Sequence, residues 1–168
     1  MSTDQSSVQS YLSFHLQEEQ FAFSVEKVLE ILEVPQITKV PHSPPYMRGV
    51  INLRGKVLPV IDTRLKFGMP AIAETIHTAI LVLQVEMDGE VLVLGAIVDA
   101  VSQVLEISHG SILPPPAMGR KYRPELISAM GKINEEFLMI LDADRVFSLE
   151  DVLDIQNSQT AIEAHTPV

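Results

Sequence analysis

The side chains best suited to chemistry lie far apart in this 168-residue chain. Its five histidines, His15, His42, His77, His109 and His165, have no close neighbours of their own kind. A structural role therefore outweighs a metal site for each. There is no HExxH pair, no GxSxG nucleophile elbow and no glycine loop that would cradle phosphate. The chain has no cysteine, which excludes disulfides, thiolate ligands and thiol nucleophiles. Asp142-Ala143-Asp144 has the opening spacing of a calcium loop. The chain then continues Arg145-Val146-Phe147, without the later glycine and glutamate that such a loop needs. Asp142 is expected to cap a helix, with Asp144 as surface charge. Asp62 and Asp99 stand beside apolar strands, the setting of a phosphoacceptor. Asp62 shares its context with Asp142, which points to a repeated structural task. No catalytic residue, metal or cofactor is expected, and the chain does not read as an enzyme.

Charge narrows the remaining classes. Twenty-two acidic against twelve basic residues give a formal net charge of −10. Such a surface repels phosphate backbones and anionic membranes, so neither nucleic acid nor a lipid surface is an expected partner. A basic patch on another protein would be steered towards it. The first ten residues, MSTDQSSVQS, are polar and carry no signal-like apolar core. The longest apolar run, residues 91–98, is far short of the ~20 residues of a spanning helix. A soluble cytoplasmic protein is expected, without membrane insertion. A hydrophobic share of 46% is high for so acidic a chain and hints at surface covered by partners.

The elements that must position any site are mostly strands. Leu12, Phe14 and Leu16 alternate with Ser13, His15 and Gln17, and the pattern resumes in Phe21, Phe23 and Val25. This predicts an antiparallel hairpin with one buried face. A second hairpin joins residues 79–86 to 90–98 across Met87-Asp88-Gly89. Two more turn at Arg54-Gly55-Lys56 and Asn134-Glu135-Glu136. Short strands at this spacing predict a barrel or sandwich. Pro59 lacks an amide donor, which predicts an edge or an irregular strand. Helices are expected to be few. One turn could form over 43–50, and two short helices start at Asp62 and Asp142 as N-caps. A capping box at 148–151 predicts a C-terminal helix to about residue 155. Residues 69–78 read as a linker, 113–116 as a loop, and 1–9 and 156–168 as flexible tails.

The two halves echo each other. Gly49-Val50-Ile51-Asn52 precedes an apolar strand ending at Asp62, with Arg64 soon after. Gly131-Lys132-Ile133-Asn134 precedes one ending at Asp142, with Arg145 soon after. Upstream, residues 23–28 parallel residues 96–101. This predicts one all-β domain over 10–155, built of two similar five-stranded units, 10–68 and 77–150, with a groove between them.

Residues 46–64, YMRGVINLRGKVLPVIDTR, closely resemble the signature of the CheW family, bacterial coupling proteins that join chemoreceptors to the histidine kinase CheA. Val28-Leu29-Glu30-Ile31 resembles the family's V-x-E-I strand, and residues 94–101, LGAIVDAV, its second-half block. The similarity runs from about residue 10 to 153. Asp62-Thr63-Arg64 stands where D-L-R is common, and Lys56 where an apolar residue is frequent. The resemblance implies two SH3-like β-barrels and a non-enzymatic adaptor of chemotaxis signal transduction. It implies two partners, the cytoplasmic tip of a chemoreceptor and the regulatory domain of CheA. By the same resemblance, Val28, Glu30, Arg54, Val57 and Leu58 would face the receptor, with Arg54 near Glu30. Arg48, Gly49, Gly95 and Val98 would serve the kinase contact. For Leu58 a plain core role, and for Gly95 a packing role, are the competing readings. An adaptor of type IV pilus motility or surface sensing is the alternative within the family. A small-molecule-binding β-barrel sensor is the alternative outside it.

Overall fold

Alternating apolar residues build strands along most of the chain in the computed structural model, which describes residues 8–87, 89–115 and 126–147. The strands are β1 (Val8–Leu16), β2 (Glu19–Ser24), β3 (Val28–Glu33), β4 (Met47–Leu53), β5 (Lys56–Asp62), β6 (Ala79–Met87), β7 (Glu90–Val98), β8 (Ala100–Ser108), β9 (Ile112–Leu113), β10 (Ile127–Ile133) and β11 (Glu136–Leu141). Four-residue helices α1 (Thr63–Lys66) and α2 (Ala143–Val146) follow β5 and β11. As expected, Asp62 and Asp142 cap them: Asp62 accepts from the Leu65 amide and Asp142 from that of Asp144. The helix expected from 148 lies outside the described residues, as does Asp88 of the second hairpin.

Two sheets form, in the orders β8-β1-β2-β11-β10-β9 and β3-β6-β7-β5-β4. Each takes two strands from one half of the chain and the rest from the other. Among the described residues four ladders cross between the halves, two antiparallel, β1 with β8 and β3 with β6, and two short parallel ones, β2 with β11 and β5 with β7. The linker at 69–78 therefore does not divide one sheet from the other, as contiguous units would require. The halves are interlocked.

Other expectations are corrected by pairing. The first hairpin is buried on both faces. Leu12, Phe14 and Phe23 enter the core between the sheets, while Tyr11 and Ala22 join Ile107, Leu138 and Ile140 within the first sheet. Ser13 is buried too, its hydroxyl satisfied by the Gln103 backbone at 3.0 and 3.2 Å. The strand β1 begins at Val8, opposite Ser108, so residues 8 and 9 are not part of a free tail. Of the helical turn expected over 43–50, a single hydrogen-bonded turn forms, in which the Pro44 carbonyl accepts from the Met47 amide at 3.0 Å. Met47 already starts β4, because Val50 and Ile51 pair with Pro59 and Leu58. Pro59 is not on an edge. It precedes by one residue the ladder with β7, which starts at Val60. The linker is pinned by buried Met69 and Ile72.

The central core joins both sheets. Phe14 stacks on Phe23 at 5.1 Å, and Phe21 meets Phe67 at 5.2 Å. All four are fully buried, each contributing about 1.5–3 kcal/mol. Phe67 and Phe147, both fully buried, stand at the C-terminal ends of α1 and α2.

Pairing also fixes the register of the repeat. Residues 51–60 and 131–140 show one burial pattern. Ile51 opposes Leu58 and Gly131 opposes Leu138. Gly131 thus matches Ile51, two residues from the apparent match with Gly49. The true equivalent of Arg64 is Asp144, not Arg145. Arg64 holds Asp99 at the β7–β8 corner (Nε–Oδ1 2.9 Å), where Asp99 also accepts from the Gln17 amide. Asp144 holds Lys27 at the β2–β3 corner (3.0 Å) and accepts from the Glu86 amide. The two clasps occupy equivalent places with their charges reversed.

Candidate partner-binding groove

The strand β3 is an edge of the five-stranded sheet. Between it and the β4–β5 hairpin opens a groove of about 310 Å3, lined by Leu29, Glu30, Leu53, Arg54, Lys56, Val57, Leu58, Val82 and Val93. The hairpin turn sets the geometry. Arg54 (φ 51°) and Gly55 (φ 86°) are both left-handed, as a two-residue turn of this hand demands. Asn52 Oδ1 accepts from the Gly55 amide at 2.8 Å and fixes the turn. This aims the Arg54 side chain back over the groove, where its Nη1 donates to Glu30 Oε1 at 3.3 Å and its Nη2 to Glu30 Oε2. The Arg54 hydrogen bond holds the Glu30 carboxyl below its usual range, and Glu30 raises the guanidinium in turn. Arg54 itself remains 70% exposed.

The groove wall is unusually apolar for a water-facing surface. Leu29, Val57 and Val93 are 51%, 54% and 41% exposed. Val91 and Ile31 extend the exposed apolar surface of β7 and β3. Lys56 is exposed and makes no ion pair among the described residues. Four of the five residues expected to face a receptor therefore share one groove. Leu58, 4% exposed, supplies its floor. Val28 does not line it and packs part-buried against the core. Sequence reasoning missed Leu29 and Val93. The unbroken run Val91-Leu92-Val93-Leu94 carried the signal, since a strand with one wet face should have alternated.

The residues expected at a kinase contact do not gather into a surface. Arg48 Nη2 donates to Asp62 Oδ2 (3.0 Å) and to the Ile72 carbonyl (2.6 Å), tying the linker to the cap of α1. Gly49 is buried where a Cβ would lie 2.3 Å from the Thr38 carbonyl oxygen, so no larger residue fits beside that bridge. Gly95 is buried with Ile80 Cγ2 2.8 Å from where a Cβ would stand. Val98 is fully buried. Only Arg48 of the four reaches solvent.

The profile of the CheW-like domain matches residues 10–151. The chain belongs to the CheW family. It is similar to the chemotaxis protein CheW of Klebsiella aerogenes, 31% identical over 149 residues covering 89% of this chain and 87% of that one. It is also similar to the chemotaxis protein CheW of Bacillus subtilis, 34% identical over 149 residues and 89% of each chain. Among solved structures it matches the scaffolding protein TtCheW from Thermoanaerobacter tengcongensis with a TM-score of 0.75 and 29% identity, over 86% of this chain and 96% of that one. The all-β architecture of short helices and two sheets is thus a CheW architecture. No helix among the described residues is long and apolar enough to cross a membrane.

Proposed function

We propose that this protein is a chemotaxis adaptor that couples chemoreceptors to the histidine kinase CheA and catalyses nothing itself. The observation that carries the reading is the open apolar groove in a CheW chain, bounded by the Glu30–Arg54 pair. A groove of this form suits the cytoplasmic tip of a receptor, whose helix would place apolar side chains against Leu29, Val57 and Val93. Arg54 and Glu30 set the rim, Leu58 the floor, and Val28 holds β3 in place beneath it. The kinase regulatory domain would meet another face near Arg48. Gly49 and Gly95 support that face from inside by allowing the close approaches that shape it, and Val98 by its burial in the core. The adaptor works in the cytoplasm and is drawn to membrane-associated arrays by its receptor contact. Each contact is of standard size or smaller, about 800 Å2 per partner, and multivalency in an array supplies the strength.

A direct test is capture of the purified protein by a receptor signalling fragment and, separately, by a CheA regulatory domain. Arg54→Ala should weaken the receptor contact while leaving the fold intact. Gly49→Asp should lose kinase binding through local distortion at the Thr38 bridge. Capture by neither partner at tens of micromolar, about the strength of a transient contact, would remove the adaptor reading.

A further inference from the structure

The repeat supplies an internal control for the groove. The β10–β11 hairpin carries an equivalent, smaller groove of about 110 Å3 on the other sheet. Strand pairing matches the two position by position: Leu53 with Ile133, Arg54 with Asn134, Lys56 with Glu136, Val57 with Phe137 and Leu58 with Leu138. On the neighbouring edge strand, Glu30 matches Gln103. On the hairpin the apolar positions are kept and the charged ones are not, while on the neighbouring strands Val93 matches Gln20 and Leu29 matches Ser102. Architecture therefore accounts for the apolar hairpin positions of the first groove but neither for its cations nor for Leu29 and Val93.

The turn itself argues the same way. Asn134 occupies its left-handed position (φ 48°) as a residue that tolerates it, whereas Arg54 sits at φ 51° with a side chain the turn does not favour. In a chain of net charge −10, Arg54 and Lys56 also form a cationic rim, where a partner's acid would be drawn. Glu30 engages Arg54 from one side only and leaves it 70% exposed.

We propose that Arg54 and Lys56 are specificity-determining residues that select an apolar segment bearing a carboxylate. The carboxylate seats between the guanidinium and the ammonium, with its apolar neighbours on Leu29, Val57 and Val93. The same pair of positions, as Asn134 and Glu136, rejects that segment from the second groove, so a single chain discriminates its two grooves by charge. This rests on the first groove being the receptor site, and it names the chemistry of what enters it.

The test uses the full chain and a purified chemoreceptor cytoplasmic fragment, with binding measured by calorimetry from 50 to 500 mM salt. Writing the second groove's residues into the first, Arg54→Asn with Lys56→Glu, should weaken binding at least tenfold at low salt and flatten its salt dependence. Thermal stability should hold, because Asn suits the turn. Lys56→Gln alone should cost a few-fold, and Val57→Ala should weaken binding without changing the salt slope. If the wild type binds and the double variant matches it in affinity and slope, the carboxylate proposal is overturned while the receptor site stands. If the wild type does not bind at all, the receptor reading itself fails.

Discussion

Arg54 and Glu135 each hold a left-handed position in equivalent two-residue turns, at φ 51° and 68°. Such turns favour Asn followed by Gly. The first turn has Arg-Gly and the second Asn-Glu, so each departs once. Glu135→Gly should relieve the second turn by about 1 kcal/mol, raising the melting temperature by ~3 °C in a thermal melt. No partner contact is assigned to Glu135, so binding should not change. Glu30 offers a second check at this scale. Its carboxyl is held below the ordinary 4.5 by the Arg54 hydrogen bond. A group depressed on folding stabilises above its unfolded value and loses that effect as pH falls through its folded value. NMR titration of the Glu30 side chain should show a midpoint below 4.5, returning towards it in Arg54→Ala. A midpoint unmoved by that substitution would mean the pair does not persist in solution. Glu30 and Arg54, 24 positions apart, could be joined beforehand only through the family resemblance, because spacing gives no hint that an edge strand and a hairpin tip meet.

The elements were largely legible because both turns and both helix caps write themselves locally. Asp62 and Asp142 are side chains that satisfy amides two or three residues on. What local sequence does not carry is which strands cross between halves. That choice is made by four ladders, β1 with β8, β2 with β11, β3 with β6 and β5 with β7, which join residues more than 30 positions apart. Hence the sheets, the interior place of Pro59 and the true match of Arg64 with Asp144 were missed. The clasps that join the halves give a prediction of their own. Lys27 is raised above its ordinary 10.5, chiefly by its hydrogen bond to Asp144. Its contribution is therefore complete below that value and is lost as pH rises through the folded one. Lys27→Met should cost up to about 1 kcal/mol in a denaturant titration, a difference that shrinks in high salt. Phe67→Ala and Phe147→Ala should each cost about 3–5 kcal/mol, because both rings close the ends of their halves in full burial.

At the scale of the whole molecule, interlocking makes the two halves one cooperative body. It also leaves each half with a groove of the same plan and different charge. Fold and function part company here. The repeat reproduces strands, caps and buried aromatics, while the groove rims diverge to Arg54 and Lys56 on one side and Asn134 and Glu136 on the other. An adaptor needs that divergence, since one chain must hold unlike partners at once. The most direct measurement is equilibrium binding of the purified full-length chain to a chemoreceptor cytoplasmic fragment and to a CheA regulatory domain, alone and together. The expected result is that both bind, that the two can be bound simultaneously, and that Arg54→Ala weakens only the receptor contact. Failure to bind either partner, or mutual exclusion of the two, would contradict the account.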